Sequence, residues 1–235
     1  MSEKPRQIIA LGGGGFSMEP ENLALDEYVL KQAGVPQPAV AFIPTASGDA
    51  EPYIVGFYRA FSVLPCRPSY LPLFSRTPDL REYLLAQDVI YVGGGNTKSL
   101  LGVWREWGLP EVLREAWESG VVLAGVSAGA ACWFDSFLSD AWADQLSVIR
   151  GLGLLSGSCC PHFEFESERH VALHQRLLGG EIGGGYAIAN SAALHFRGQH
   201  LHRAVASVPG KRSFRFSVAG GRVTEEELPM ELLER

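Results

Sequence analysis

The chain has 235 residues, 46% of them hydrophobic, with 27 Gly, 14 Pro and a formal net charge of −6 at pH 7. That is enough chain for one large α/β domain over residues 1–235, and no linker or composition shift divides it. The acidic balance and scattered Lys and Arg exclude a nucleic-acid footprint, and no run approaches the roughly 18 uninterrupted apolar residues that a membrane span needs.

From the start, Met-Ser-Glu-Lys-Pro-Arg lacks the apolar core of an export signal. Residues 7–11 are predicted as a strand ending in the glycine run Gly12–Gly15. A helix over 21–32, a strand over 39–44 and a helix over 52–63 follow. In the last of these, Tyr53, Phe57, Tyr58 and Phe61 recur at helical spacing and predict a core-facing stripe. Then come a strand over 69–73, a helix over 78–86, and a strand over 88–92 ending in Gly93-Gly94-Gly95-Asn96. Helices over 98–104 and 110–119 lead to a strand over 121–124 and the segment Gly125-Val126-Ser127-Ala128-Gly129. A short run at 156–160 precedes Pro161-His162-Phe163, and a helix carries His170 and His174 with Glu166 one turn earlier. Short strands at 186–189, 193–196, 204–207, 213–218 and 222–224 close the chain. Strands alternating with crossover helices predict a three-layer, doubly wound, mostly parallel sheet with a small antiparallel C-terminal extension.

The chemistry centres on Ser127. Small residues on both sides of it allow a strand–turn–helix bend that pushes the hydroxyl out at a strand end, the arrangement of a nucleophile elbow. The glycine-rich strand exits fit neither G-x-G-x-x-G nor a phosphate-binding G-K-[ST] loop, which removes the main support for nucleotide binding. Bare glycines instead offer backbone N–H groups, and Gly94, Gly95 and Ala128 are the candidate oxyanion donors. A serine needs a base, and His162 at a predicted sheet end is the best placed histidine. Asp140 precedes it and is the candidate third member, with Asp144, Glu166 and Asn190 as alternatives. The order Ser, Asp, His occurs in α/β-hydrolases. Their H-G-G-G loop is absent, however, and 35 positions from Ser127 to His162 are too few for that fold. For His170 and His174 a solvated helix face outweighs zinc, since the H-E-x-x-H glutamate is missing. Neither a metal nor another cofactor is expected. Cys66, Cys132 and the adjacent Cys159 and Cys160 write neither a disulfide framework nor a C-x-x-C knuckle, which suits a reduced, cytoplasmic protein.

Three motifs in order, Tyr91-Val92-Gly93-Gly94-Gly95-Asn96-Thr97, Gly125-Val126-Ser127-Ala128-Gly129-Ala130 and Pro161-His162-Phe163, resemble the serine peptidases typified by dipeptidase E and cyanophycinase. The resemblance covers about residues 8–200. It implies a fold similar to class I glutamine amidotransferases, peptide-bond hydrolysis without a metal, and Ser127, His162 and Asp140 as the triad. It also implies oxyanion donors at Gly94 and Ala128 and a small peptide substrate, with Asn96, Arg169 and Glu166 as candidate substrate contacts. The cyanophycinase branch completes its triad with an acidic residue after the histidine, where this chain has Asn190 in a stretch without a carboxylate. Leu173 holds the place of the arginine that grips an aspartyl side chain in the dipeptidase branch. The alternatives are an esterase or amidase acting on a non-peptide acyl group and a non-catalytic, amidotransferase-like binding protein. The chain is expected to be a monomer or homodimer.

Overall fold

The computed structural model of the protein describes residues 4–142, 146–164 and 167–234. The first half runs β1 (Gln7–Gly13), α1 (Ala24–Lys31), β2 (Ala39–Ile43), α2 (Glu51–Phe61), β3 (Arg67–Tyr70), α3 (Leu80–Leu85), β4 (Val89–Val92) and α4 (Thr97–Glu106). Next come α5 (Leu109–Glu118), β5 (Val122–Val126), α6 (Ala128–Ala131), β6 (Phe134–Ser139), β7 (Ser147–Arg150), β8 (Leu155–Cys160) and α7 (Glu168–Leu178). The last part holds β9 (Gly185–Ala187), β10 (Ala192–Arg197), β11 (His200–Ala206), β12 (Phe214–Ala219), β13 (Arg222–Glu227) and β14 (Met230–Leu232).

The main sheet has eight strands in the order β14-β11-β10-β1-β5-β4-β2-β3. Its half from β1 through β5, β4 and β2 to β3 is parallel, and β10 joins β1 antiparallel. Every residue of β1, β4 and β5 is buried, which is why these strands read as near-continuous apolar runs. Side chains still alternate between faces. Ile8 and Ala10 pack with Trp104, Leu113 and Trp117 beneath α4 and α5, while Ile9 and Leu11 pack with Val29, Phe57 and Phe61 beneath α1 and α2. In α5 the buried residues Leu109, Leu113, Ala116 and Trp117 form one stripe behind a proline start. The predicted aromatic stripe of α2 is present: Phe57 stacks on Phe42 at 4.5 Å between ring centroids, and Phe16 meets both.

The tail does more than extend this sheet. β10, β11 and β14 add to its edge, but β9, β12 and β13 join β6, β7 and β8 in a second sheet of six strands, ordered β13-β12-β9-β8-β6-β7. The helix after Ser127 is short, because the chain turns at Cys132 and Trp133 and enters β6. Ala130–Phe134 is small or apolar in a way that suits helix or strand, so composition alone does not place this turn. On its outer face the second sheet carries α7, packed through Leu173, Leu177, Phe163, Phe214 and Phe216. The four cysteines are free, and burial pushes the Cys160 thiol up to about 12, so it is an inert core group. No helix among the described residues is long and apolar enough to cross a membrane.

Candidate active site

Ser127 lies at the carboxyl end of β5 with φ 57° and ψ −113°. A non-glycine residue is strained there, so its surroundings must hold it. The Ser127 N–H donates to the Leu11 carbonyl at 2.9 Å, and the Ser127 carbonyl accepts from the Ala130 and Ala131 N–H groups at 3.0 and 2.9 Å. Both flanking glycines are required by space. A Cβ on Gly125 would lie 2.2 Å from the Gly129 carbonyl oxygen, and one on Gly129 would lie 2.2 Å from that of Val92.

His162 follows β8 and also has a positive φ, 53°. Its N–H donates to the Gly12 carbonyl at 3.0 Å, and the next N–H, of Phe163, donates to Ile188 at 3.0 Å. The imidazole is thereby suspended between the exits of β1 and β9. Its Nε2 is 2.7 Å from Ser127 Oγ, and its Nδ1 is 2.7 Å from Asn190 Oδ1. In the tautomer this pairing favours, Nδ1–H donates to the amide oxygen and Nε2 is free to accept the serine proton.

The first glycine run makes room for that pair. A Cβ on Gly12 would meet the Ile188 and Ala189 carbonyls at 2.3 Å, and one on Gly13 would sit 2.1 Å from Asn190 Oδ1 and 2.9 Å from His162 Nδ1. Gly13→Ala is therefore expected to displace the amide and cost about 10²-fold in kcat/KM, a typical result of misplacing a catalytic group by about an ångström. Steady-state kinetics beside a thermal melt check this, because a folded variant with unchanged rate would contradict it.

Asp140 does not reach the imidazole. It follows the last residue of β6, its carboxylate is 72% exposed, and it accepts from Arg169 Nη2 at 2.6 Å. Asn190 occupies the position opposite Nδ1 instead, placed by the Ser191 N–H, which donates to the Gly13 carbonyl at 2.9 Å. The same ion pair commits Arg169, one of the expected substrate contacts. Asn96 is committed too: Oδ1 caps α4 by accepting from the Ser99 N–H at 2.9 Å, and Nδ2 donates to the Ala141 carbonyl at 2.9 Å. Leu173 is buried in the core between α7 and the second sheet. Asp144 and Glu166 lie outside the described residues.

Of the oxyanion candidates, Ala128 begins α6, where backbone N–H groups lack intrahelical partners. Gly94 comes close to the serine, a Cβ there lying 3.2 Å from Ser127 Cβ. Its N–H, however, donates to the Tyr53 hydroxyl at 3.0 Å. Gly95 has φ 135° and lies against the Ala46 carbonyl, which a Cβ would meet at 2.3 Å. Tyr53 is the group that periodicity alone assigns wholly to the core. Its ring stacks on Phe16 at 5.5 Å, while its hydroxyl projects to the β4 exit. A tyrosine in an aromatic stripe has a polar tip that phenylalanine lacks, and this was the available signal.

Below the site, Asp26 of α1 is fully buried. It accepts from the Phe16 N–H at 2.8 Å and from the Tyr91 hydroxyl at 3.1 Å, tying the first glycine loop to β4. Desolvation raises its pKa to about 7, against the pull of these two hydrogen bonds.

Residues 8–204 match the sequence profile of Peptidase family S51. The chain belongs to that family. S51 enzymes are serine peptidases, and this protein is one of them. Over 229 residues it is 49% identical to "Uncharacterized peptidase YgaJ" of Bacillus subtilis (strain 168), covering 97% of this chain and 99% of the relative. It is 27% identical over 173 residues to "Uncharacterized peptidase Lmo0363" of Listeria monocytogenes serovar 1/2a, covering 69% and 83%. Among solved structures, a peptidase from an acI-B1 Actinobacterium superposes with a TM-score of 0.74 at 20% identity, over 97% of this chain and 96% of the other. A putative peptidase E protein from L. monocytogenes EGD-e superposes with a TM-score of 0.60 at 21% identity, over 84% and 97%. The fold is thus of the peptidase E type, similar to class I glutamine amidotransferases. Tyr53, Gly94, Ser127, His162 and Asn190 all fall within the S51 match.

Proposed function

We propose that this S51 peptidase hydrolyses dipeptides or short peptides through a Ser127–His162–Asn190 triad and an acyl-enzyme. The observation that carries the reading is the 2.7 Å contact between His162 Nε2 and the hydroxyl of a serine held at positive φ on a strand-end bend. Ser127 Oγ attacks the scissile carbonyl carbon as its proton passes to His162 Nε2. Asn190 keeps Nδ1–H directed away from the serine and orients the ring. It is a neutral partner for the imidazolium, as in cysteine–histidine–asparagine sites. The carbonyl oxygen becomes an oxyanion that accepts from the Ala128 N–H. At Gly94 it accepts either from the amide, after Tyr53 moves aside, or from the Tyr53 hydroxyl, whose donor strength rises because it already accepts from that amide. Collapse of the intermediate breaks the C–N bond, and the proton on Nε2 goes to the departing amine. Water, deprotonated by the same nitrogen, then attacks the ester and regenerates the serine.

A fluorophosphonate should add once to the wild-type protein and not to Ser127→Ala, as read by intact mass. A wild-type protein that stays unmodified would remove the nucleophile from the scheme. A dipeptide library followed by mass spectrometry, run beside aryl esters, then defines the acyl group. Turnover of esters with every dipeptide untouched would replace the peptide substrate by a non-peptide one.

A further inference from the structure

His170 and His174 stand one turn apart on α7, their ring centroids 4.7 Å from each other and their planes at 88°. The sequence offers no glutamate between them, but the fold supplies a carboxylate from another element. Glu225 of β13 places Oε1 2.9 Å from His170 Nε2 and 2.5 Å from His174 Nε2. One ligand atom from each of the three residues lies within 4.8 Å of the other two. Phe216 packs against both imidazoles and Phe163 against His170, walling the cluster on its inner side. The side chains are 14%, 31% and 22% exposed for His170, His174 and Glu225, so the cluster is sheltered yet open past His174.

We propose that His170, His174 and Glu225 form a binding site for a divalent transition-metal ion of the zinc type. Two imidazoles and one carboxylate are a recurrent zinc ligand set that leaves a fourth position for water. Tetrahedral coordination with bonds of about 2.0–2.1 Å spaces ligand atoms by roughly 3.3 Å, so to admit the ion the carboxylate oxygen withdraws by about 0.4 Å from the His170 nitrogen and about 0.8 Å from that of His174. Borderline nitrogen and oxygen donors select zinc, cobalt or nickel over magnesium or calcium. Whatever occupies the fourth position, the ion would tie α7 to β13 beside Phe163, the residue that follows His162. This site is separate from the Ser127 hydroxyl and does not depend on the peptidase reading.

The test uses the full chain stripped with a chelator and titrated with ZnCl2 or CoCl2. One equivalent is expected to bind by calorimetry, the melting temperature should rise, and Co2+ should give the intense visible bands of a tetrahedral site. Glu225→Gln keeps a hydrogen-bond acceptor beside the imidazoles and is expected to weaken binding at least 10-fold, and His174→Ala more. Ser127→Ala should bind like wild type. No stoichiometric binding to the wild-type chain would overturn the proposal. So would Glu225→Gln binding as tightly as wild type, since the helix pair alone would then hold the ion.

Discussion

Ser127→Ala is expected to lower kcat/KM by on the order of 10⁴-fold or more, leaving the residual rate that binding and oxyanion stabilisation supply without a nucleophile. Asn190→Ala should cost about 10²-fold, because His162 keeps its contact with Ser127 while losing the acceptor that fixes its tautomer. Asp140→Ala should stay within about threefold of wild type, as the loss of an exposed ion pair with Arg169 implies. The contrast between the last two is the sharper result. Motif resemblance favours Asp140 and geometry favours Asn190, so a larger loss at Asp140 would restore the carboxylate to the mechanism. Circular dichroism and thermal melts keep misfolding apart from chemistry.

The second large effect is on stability. Asp26 has a native pKa of about 7 against 3.8 for the free group, so the native state holds a proton that the unfolded chain releases between about pH 4 and 7. Its contribution is fully present below pH 4 and lost as pH rises through 7, a difference of roughly 4 kcal/mol at about 1.4 kcal/mol per pH unit. His195 acts in the opposite sense. Buried on β10, its Nε2–H donates to Gln7 Oε1 at 3.1 Å and its Nδ1 accepts from the Tyr28 hydroxyl at 2.8 Å, while desolvation lowers its pKa to about 4. The native state refuses a proton that the unfolded chain takes up near pH 6.5, so this contribution is present above 6.5 and lost as pH falls through 4. Between pH 4 and 6.5 the two slopes oppose. Asp26→Asn can still accept from the Phe16 N–H and donate to the Tyr91 oxygen. It should therefore be little changed at pH 4, clearly more stable than wild type at pH 8, and show stability rising with pH in between. Urea melts of both proteins at several pH values measure this, and parallel profiles would mean that Asp26 is ionised in the native state.

How much of this the sequence carried depended on how local each constraint is. The Ser127 bend was legible because the small residues it needs, Gly125 and Gly129 included, lie within five positions, although the carbonyls of Leu11 and Val92 that hold and confine it come from other strands. His162 was legible from its place in a motif. The third member was not, since chemical preference ranks a carboxylate above an amide. Which of the two arrives at Nδ1 depends on a second sheet that brings the β9–β10 connection beside the β1 exit. That sheet was itself hard to read. β6, β7 and β8 are short and pair among themselves, and they reach β12 and β13 only through β9, which lies later in the chain, so only pairing reveals the sheet. Glu225 was missed for the same reason, being 55 positions from His170. Cofactor, partner and assembly state left no local pattern of this kind.

Ser127 leaves the main sheet through β5, and His162 leaves the second sheet through β8, so the 2.7 Å contact between them bridges two separately hydrogen-bonded bodies. Turnover is in that sense a gauge of their alignment. A substitution in the packing between them, for instance where Phe134 of one meets Phe196 of the other at 5.7 Å, can silence the enzyme from a distance while every reacting group stays chemically intact.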